Sequence, residues 1–203
     1  MKIVTSWDDG KQTDLWLADL LRKYQLPATF YIPSCCELTN EELRGLAKDF
    51  EIGGHTVTHP ADMKMLSVEE IAFEVGDNRK ELQNITGQKL ESFCYPRGRY
   101  DERVIEEVKK AGFTNARTTQ IGDIYGVFDP FKAKTTVHAY NRPEYNGENW
   151  LSYAQRYLCL ANGIEGSVFH LWGHSRELIV NGLEQELEEL FKLLNAYLYS
   201  KHK

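Results

Sequence analysis

Asp8 and Asp9, in Thr5-Ser6-Trp7-Asp8-Asp9-Gly10, and His55 and His59, in Gly54-His55-Thr56-Val57-Thr58-His59-Pro60, are side chains of the types that hold a hydrolytic metal. A catalytic zinc takes three protein ligands from imidazole and carboxylate and keeps a fourth position for water, whose pKa falls to about 7. Two histidines and one aspartate would fill the protein positions, and the second aspartate, left off the metal, could accept a proton as general base. The pattern therefore points to metal-assisted hydrolysis. Taken singly the pieces say less, because His-x-x-x-His recurs by chance and Asp-Asp-Gly is ordinary turn chemistry. Gly53-Gly54 before the histidines and Pro60 after them predict a loop or single turn, not one face of a long helix. Both pieces follow short strand-like segments, Lys2 to Trp7 and Glu51 to Gly53, and α/β sheets gather functional residues at the carboxyl ends of their strands.

T-S-W-D-D-G followed by H-T-V-T-H resembles the first two motifs of the polysaccharide deacetylase family, also called carbohydrate esterase family four or the NodB homology domain. Those motifs usually read T-F-D-D-G and H-[ST]-x-x-H, and the resemblance runs on through Phe93-Cys94-Tyr95-Pro96-Arg97-Gly98 to near His174. It implies that Asp9, His55 and His59 bind a divalent metal, most commonly Zn2+ with Co2+ or Ni2+ as alternatives, and that Asp8 is the general base. Thr56 would brace the histidine loop through its hydroxyl. The third family motif usually reads R-x-P-x-G, its arginine orienting the catalytic aspartate. Cys94 stands at that arginine's place, and Phe93 to Gly98 fits an F-x-Y-P-x-G subgroup better. Arg97 or Arg99 could then supply the charge, or both could be exposed turn arginines. A backbone amide near Tyr95, Pro96 and Arg97 would help bind the oxyanion.

The last family motif ends a strand with L-x-H, whose histidine protonates the leaving group. The segment from Gly166 to Ser175 offers His170 and His174, which as residues four apart on a strand would share one side. His174, at the carboxyl end, is the favoured general acid, and His170 reads as a hydrogen-bonded core histidine. The activity implied is removal of an N-acyl group, N-acetyl first, from an amino sugar or glycan intermediate. Alternatives are a deformylase or other linear or cyclic amide hydrolase on the same scaffold, and a barrel that binds metal or glycan without turnover.

Around these residues the elements alternate. Ile3 to Trp7, Ala28 to Ile32, Glu51 to Gly53, Phe93 to Tyr95 and Asn115 to Thr119 read as strands. Thr13 to Tyr24, a helix begun at Thr39, one begun by the capping box at Ser67 and stopped by Gly87, and Asp101 to Ala111 read as helices. Lys134 to Ala139 and the stretch around His170 are further strands, and Trp150 to Leu160 and Leu183 to Leu198 further helices. Such alternation implies a parallel sheet with helices outside it. At 203 residues the chain suits one α/β domain over 1–203, and the resemblance implies a distorted (β/α) barrel of seven strands. The irregular stretch from Ile121 to Asn149, with Tyr125, Phe128, Tyr140, Tyr145 and Trp150 in or beside it, is a candidate substrate loop.

A net charge of −6 disfavours a nucleic-acid partner. No apolar run approaches the roughly 20 residues of a transmembrane helix, and Met1-Lys2-Ile3-Val4 enters the first strand without signal-peptide character, so a cytoplasmic location is expected. Cys35, Cys36, Cys94 and Cys159 lack the spacing of a zinc ribbon or a disulfide framework and read as reduced thiols.

Overall fold

Residues alternate along each strand between two environments, and that alternation organises the fold. In β1 (Lys2–Asp8), Ile3 and Trp7 point outward into the apolar layer beneath the helices, whereas Val4, Ser6 and Asp8 point inward. The same period of two recurs in β2 (Thr29–Ile32), where Phe30 and Ile32 join the apolar layer and Thr29 and Tyr31 face the interior. The remaining strands are β3 (Glu51–Gly54), β4 (Ser92–Cys94), β5 (Asn115–Arg117), β6 (Val137–His138) and β7 (Val168–Gly173). The computed structural model describes residues 1–126 and 128–200, and of Ser200 only its place in the last helix.

All strand pairs are parallel, in the order β5-β4-β3-β2-β1-β7-β6. The sheet curls so that the segment before β6 reaches both edges. Ala133 donates to Ala116 of β5 and accepts from Thr118, while Thr136 donates to His170 of β7. This is the expected distorted barrel, with α1 (Thr13–Lys23), α2 (Asn40–Leu46), α3 (Val68–Thr86), α4 (Glu102–Lys110), α5 (Trp150–Asn162), α6 (Ser175–Val180) and α7 (Glu184–Ser200) around it. The apolar core lies between sheet and helices, where Trp7 meets Phe191 of α7 edge-on. The interior is polar instead, and at the amino ends of the strands it holds a cavity of about 300 Å³ lined by Lys2, Glu51, Asn115 and His170 among others.

The helices begin where the sequence supplies caps. Thr39 and Ser67 form capping boxes with Glu42 and Glu70, and Gly87 ends α3 in the left-handed conformation at φ 73°. Three expectations change. The strand expected over Lys134–Ala139 contracts to two residues, because Thr135 and Thr136 spend hydroxyls and amides on Gln120, Asp123 and β7. A short helix, α6, follows His174 where none was expected. The candidate substrate loop does not form one surface. Asp123 and Gly126 line the cavity at the amino ends of the strands and Ile124 bonds Val168 there, whereas His138 to Tyr145 lie at the opposite mouth. Among the described residues, no helix is long and apolar enough to cross a membrane.

Candidate active site

The carboxyl ends of β1, β3, β4, β5 and β7 bring the chemistry-bearing side chains to one mouth. Asp9 follows β1 at φ 86°, a left-handed conformation costly for a non-glycine residue, and its amide donates to Tyr31. His55 leaves β3 after two glycines that have no room for a side chain: a Cβ on Gly53 would sit 2.4 Å from the Tyr31 ring, and one on Gly54 2.6 Å from Phe113. Thr56 and His59 also take positive φ, so the strain concentrates where Asp9 and the two histidines converge.

Polar side chains of α3 hold that strained loop. Glu74, buried on the face that also carries Ile71 and Val75, accepts from the amides of Val57 and Thr58, each at 2.8 Å, and from the Thr58 hydroxyl at 2.6 Å. Asn78, one turn on, accepts from the His55 amide at 3.0 Å and donates to the Ile32 carbonyl. The Thr56 hydroxyl accepts from the His59 amide and donates to the His55 carbonyl, the brace that its side chain was expected to provide. Glu74 and Asn78 were not singled out in the sequence. Their signal is a polar interruption of the apolar stripe Ile71, Val75, Leu82.

His55 donates from Nδ1 to the Cys94 carbonyl at 2.8 Å, which turns its Nε2 lone pair towards Asp9 Oδ1 at 3.6 Å; His59 Nε2 stands 3.5 Å from the same oxygen. A tetrahedral zinc with bonds of about 2.0–2.2 Å sets its ligands roughly 3.3–3.6 Å apart. Asp9 Oδ1 is buried and has no hydrogen-bond partner, so a divalent cation would satisfy an oxygen that the protein leaves alone. Burial opposes a charge on His55, yet Cys94, Asp9 and Asp8 outweigh it and hold its pKa well above the usual imidazole value. Burial and its neighbour His55 keep His59 on the neutral side instead. The pocket thus favours positive charge, which a cation would supply in place of the His55 Nε2 proton.

Asp8 is buried beside this cluster. Burial disfavours its charge, but the Arg117 guanidinium, bonded to both carboxylate oxygens, prevails and lowers its pKa. Arg117 thus brings to Asp8 a positive charge that the Cys94 position does not carry. In register, Cys94 of β4 pairs directly with Arg117 of β5, so the cation comes from the neighbouring strand at the same level. Cys94 is small enough to admit it, with Arg117 Nη2 at 2.9 Å from Sγ. Trp172 and Tyr31 cover the guanidinium at 4.6 and 5.1 Å. Arg97 and Arg99 do not take this part: Arg97 is exposed, and Arg99 reaches Asp62 and the Ala61 carbonyl. Asp8, His55 and Cys94 also group closely enough to suggest ligands, but the guanidinium lies between Asp8 and Cys94 and excludes a second cation.

The oxyanion expectation narrows. Tyr95 spends its amide on the Arg117 carbonyl and its hydroxyl on Phe131, and Pro96 has no N–H, which leaves the amide of Arg97, held at φ 56° in the turn. His174 sits just past β7, with Nδ1 2.9 Å from Glu177 and Nε2 4.0 Å from Asp9 Oδ2. Burial lowers its pKa, but Glu177, Asp8 and Asp9 reverse the balance and raise it. His170 turns the other way, bonded to Ser6 Oγ at 2.8 Å and kept neutral by burial, which lowers its pKa to about 3. An open cleft of about 310 Å³ runs from Asp9 and His174 past Lys11, Arg176 and Asn181.

Comparison with known proteins finds similar sequences and similar folds. The chain is 28% identical over 127 residues to the Bacillus subtilis (strain 168) protein YxkH, described as a polysaccharide deacetylase; the match covers 59% of this chain and 45% of that one. The chain thus spans less than half the length of that relative. Its fold is similar to that of a family 4 carbohydrate esterase from Streptomyces lividans in complex with acetate, at TM-score 0.63 and 15% identity over 96% of this chain and 89% of that one. It is also similar to a family 4 pseudoenzyme from Bacillus anthracis, at TM-score 0.62 and 18% identity over 95% and 61%. The family model for polysaccharide deacetylases matches residues 1–116, from β1 into β5, and the chain belongs to that family.

Proposed function

We propose that this protein is a metal-dependent hydrolase that removes an N-acyl group, N-acetyl first, from an amino sugar or glycan. The observation that carries the reading is the partnerless Asp9 Oδ1 between His55 Nε2 and His59 Nε2, with the Asp8–Arg117 pair alongside. Asp9, His55 and His59 would hold the divalent cation, zinc first and cobalt or nickel as alternatives, and when bound it would polarise the acyl carbonyl and make water more acidic.

The chain's own residues supply the rest. Asp8 accepts the proton of the attacking water, and Arg117 keeps that carboxylate ionised and fixes its plane. The Arg97 amide donates to the oxygen on which negative charge develops. Glu177 holds the proton on His174 Nδ1, so that Nε2, facing Asp9, gives its proton to the departing amine.

A binding-only reading has one observation behind it, the pseudoenzyme among the similar folds. Two features of the chain motivate it, the arginine absent from the Cys94 position and the choice between His170 and His174. Arg117 on Asp8 speaks against the first, and His174 beside Asp9 with His170 turned to Ser6 speaks against the second. The test is release of acetate and formate from N-acylated sugars and simple amides, using chelated protein before and after addition of zinc, cobalt or nickel. Metal-dependent acetate from sugars supports the proposal, and its loss in Asp8→Asn assigns the base. Formate from small amides transfers the reading to a deformylase, and glycan affinity without any product transfers it to a binding barrel.

A further inference from the structure

Next to the first cluster lies another set of ligating atoms. We propose that His138, His174 and Glu177 form a second divalent-cation site, of zinc type, whose occupation inhibits the enzyme. Glu177 Oε2 is 2.9 Å from His174 Nδ1 and 3.1 Å from His138 Nε2, and the three ligand atoms lie within 4.8 Å of one another. Tetrahedral zinc with two imidazoles and a carboxylate needs separations of roughly 3.3–3.6 Å, so small side-chain shifts suffice.

His138 supplies the independent pointer to a ligand. It is buried, and neither ring nitrogen has a hydrogen bond of acceptable geometry, an unusual state for a buried imidazole. Its position is fixed: the ring stacks on Trp172 at 4.2 Å, and Tyr145 bonds both its amide and its carbonyl. Glu177 is carried by α6 less than one turn after His174, which keeps its carboxylate beneath both rings. Arg142, whose charge reaches His138, is itself paired with Glu144 at 2.8 Å. His174 and Glu177 line the open cleft together with Arg176 and Asn181, from which water could complete the coordination.

Binding there would exchange a proton for a cation. Zinc takes the Nδ1 lone pair of His174, and the Nδ1 proton passes to solvent. The ring then keeps only its Nε2 proton and has no doubly protonated form to donate from near neutral pH. The inhibition rests on His174 acting as the general acid, whereas the binding does not.

The full chain, stripped with chelator and titrated with Zn2+ by calorimetry and elemental analysis, should bind two zinc ions per chain in the wild type. His138→Gln should bind one, and His59→Ala should lose the other while keeping this one. With acetate release as readout, excess Zn2+ should inhibit the wild type several-fold and leave His138→Gln uninhibited, each measured against its own activity at one zinc per chain. One zinc per wild-type chain, or two retained by His138→Gln, overturns the site. Loss of the second ion without relief of inhibition upholds the site and refutes its inhibitory role. Should His138→Gln melt early by circular dichroism, the stoichiometry of Glu177→Gln decides the same question.

Discussion

Replacing Arg117 by methionine removes one half of an ion pair whose side chains are 1% and 3% exposed. Deleting one partner of a buried pair costs about 3–5 kcal/mol, because the other charge is left in low dielectric. For a domain of this size each kcal/mol moves Tm by about 2–4 °C, so Arg117→Met should melt roughly 6–20 °C below wild type. The pH dependence is the sharper readout. In the wild type the folded pKa of Asp8 is depressed, so its contribution to stability is present above its unfolded value near 3.8 and is lost as pH falls through the folded value. Without Arg117, burial is opposed only by the charges of His55 and His174, so the folded pKa of Asp8 rises from its wild-type position. The stability that the ionised Asp8 contributes above its unfolded value then shrinks, so this group's slope of stability against pH falls. The acid limb of kcat/KM should move up with the folded pKa, because a protonated Asp8 cannot accept a proton. Thermal melts at pH 5 and pH 8 and a pH profile of acetate release measure both effects. The double variant Asp8→Asn/Arg117→Met should be less destabilised than the two single changes summed, by roughly 0.5–3 kcal/mol. Additive losses together with an unmoved acid limb would refute the pairing as the source of the base's ionisation.

Other consequences follow from the same side chains. Glu74→Ala removes three hydrogen bonds from the histidine loop and should weaken zinc affinity about 10–100-fold, read by competition with a chromophoric chelator, while α3 stays folded. Glu177→Gln removes the carboxylate that raises the pKa of His174, so the basic limb of kcat/KM should move to lower pH; a basic limb that stays in place speaks against His174 as the acid. Asp14 is buried at the start of α1 against Ser175, and burial pushes its carboxyl up to about 7. Its contribution to stability is therefore fully present below about pH 3.8 and is lost as pH rises through about 7, a change of order 4 kcal/mol. Asp14→Asn should gain on the wild type between pH 4 and pH 8 in chelated samples, and parallel melting curves across that range would contradict the shift.

Much of the scaffold was legible because local chemistry dictates it. Thr39 and Ser67 cap α2 and α3 where their boxes predict, and the apolar residues of β1 and β2 alternate as strands must. The site was legible where its residues are close in the chain, as with Asp8 and Asp9 or His55 to His59. Arg117 escaped because the search for a replacement arginine stayed beside Cys94 in sequence, whereas its place is set by strand pairing across β4 and β5. Glu74 and Asn78 escaped for a similar reason: on one chain they read as polar residues of a helix, and only packing shows that they face the loop.

The polar interior explains how a guanidinium from β5 can reach Asp8. A barrel lined by branched apolar side chains could not accept a guanidinium without heavy desolvation cost. Here the inward positions of neighbouring strands already carry Ser6, Tyr31, Cys94 and His170, and Trp172 and Tyr31 present ring faces to the cation. What constrains the site is then the position of the Asp8 carboxylate, and any inward residue at that level can in principle bring the charge. The arginine's strand of origin should then be free to vary, provided the vacated position is small. Cys94→Arg in the Arg117→Ala background tests this directly: recovery of the acid limb and of part of the lost Tm would show that the two positions are interchangeable routes to one carboxylate, and a folded variant with neither recovered would show that β5 alone offers the required approach.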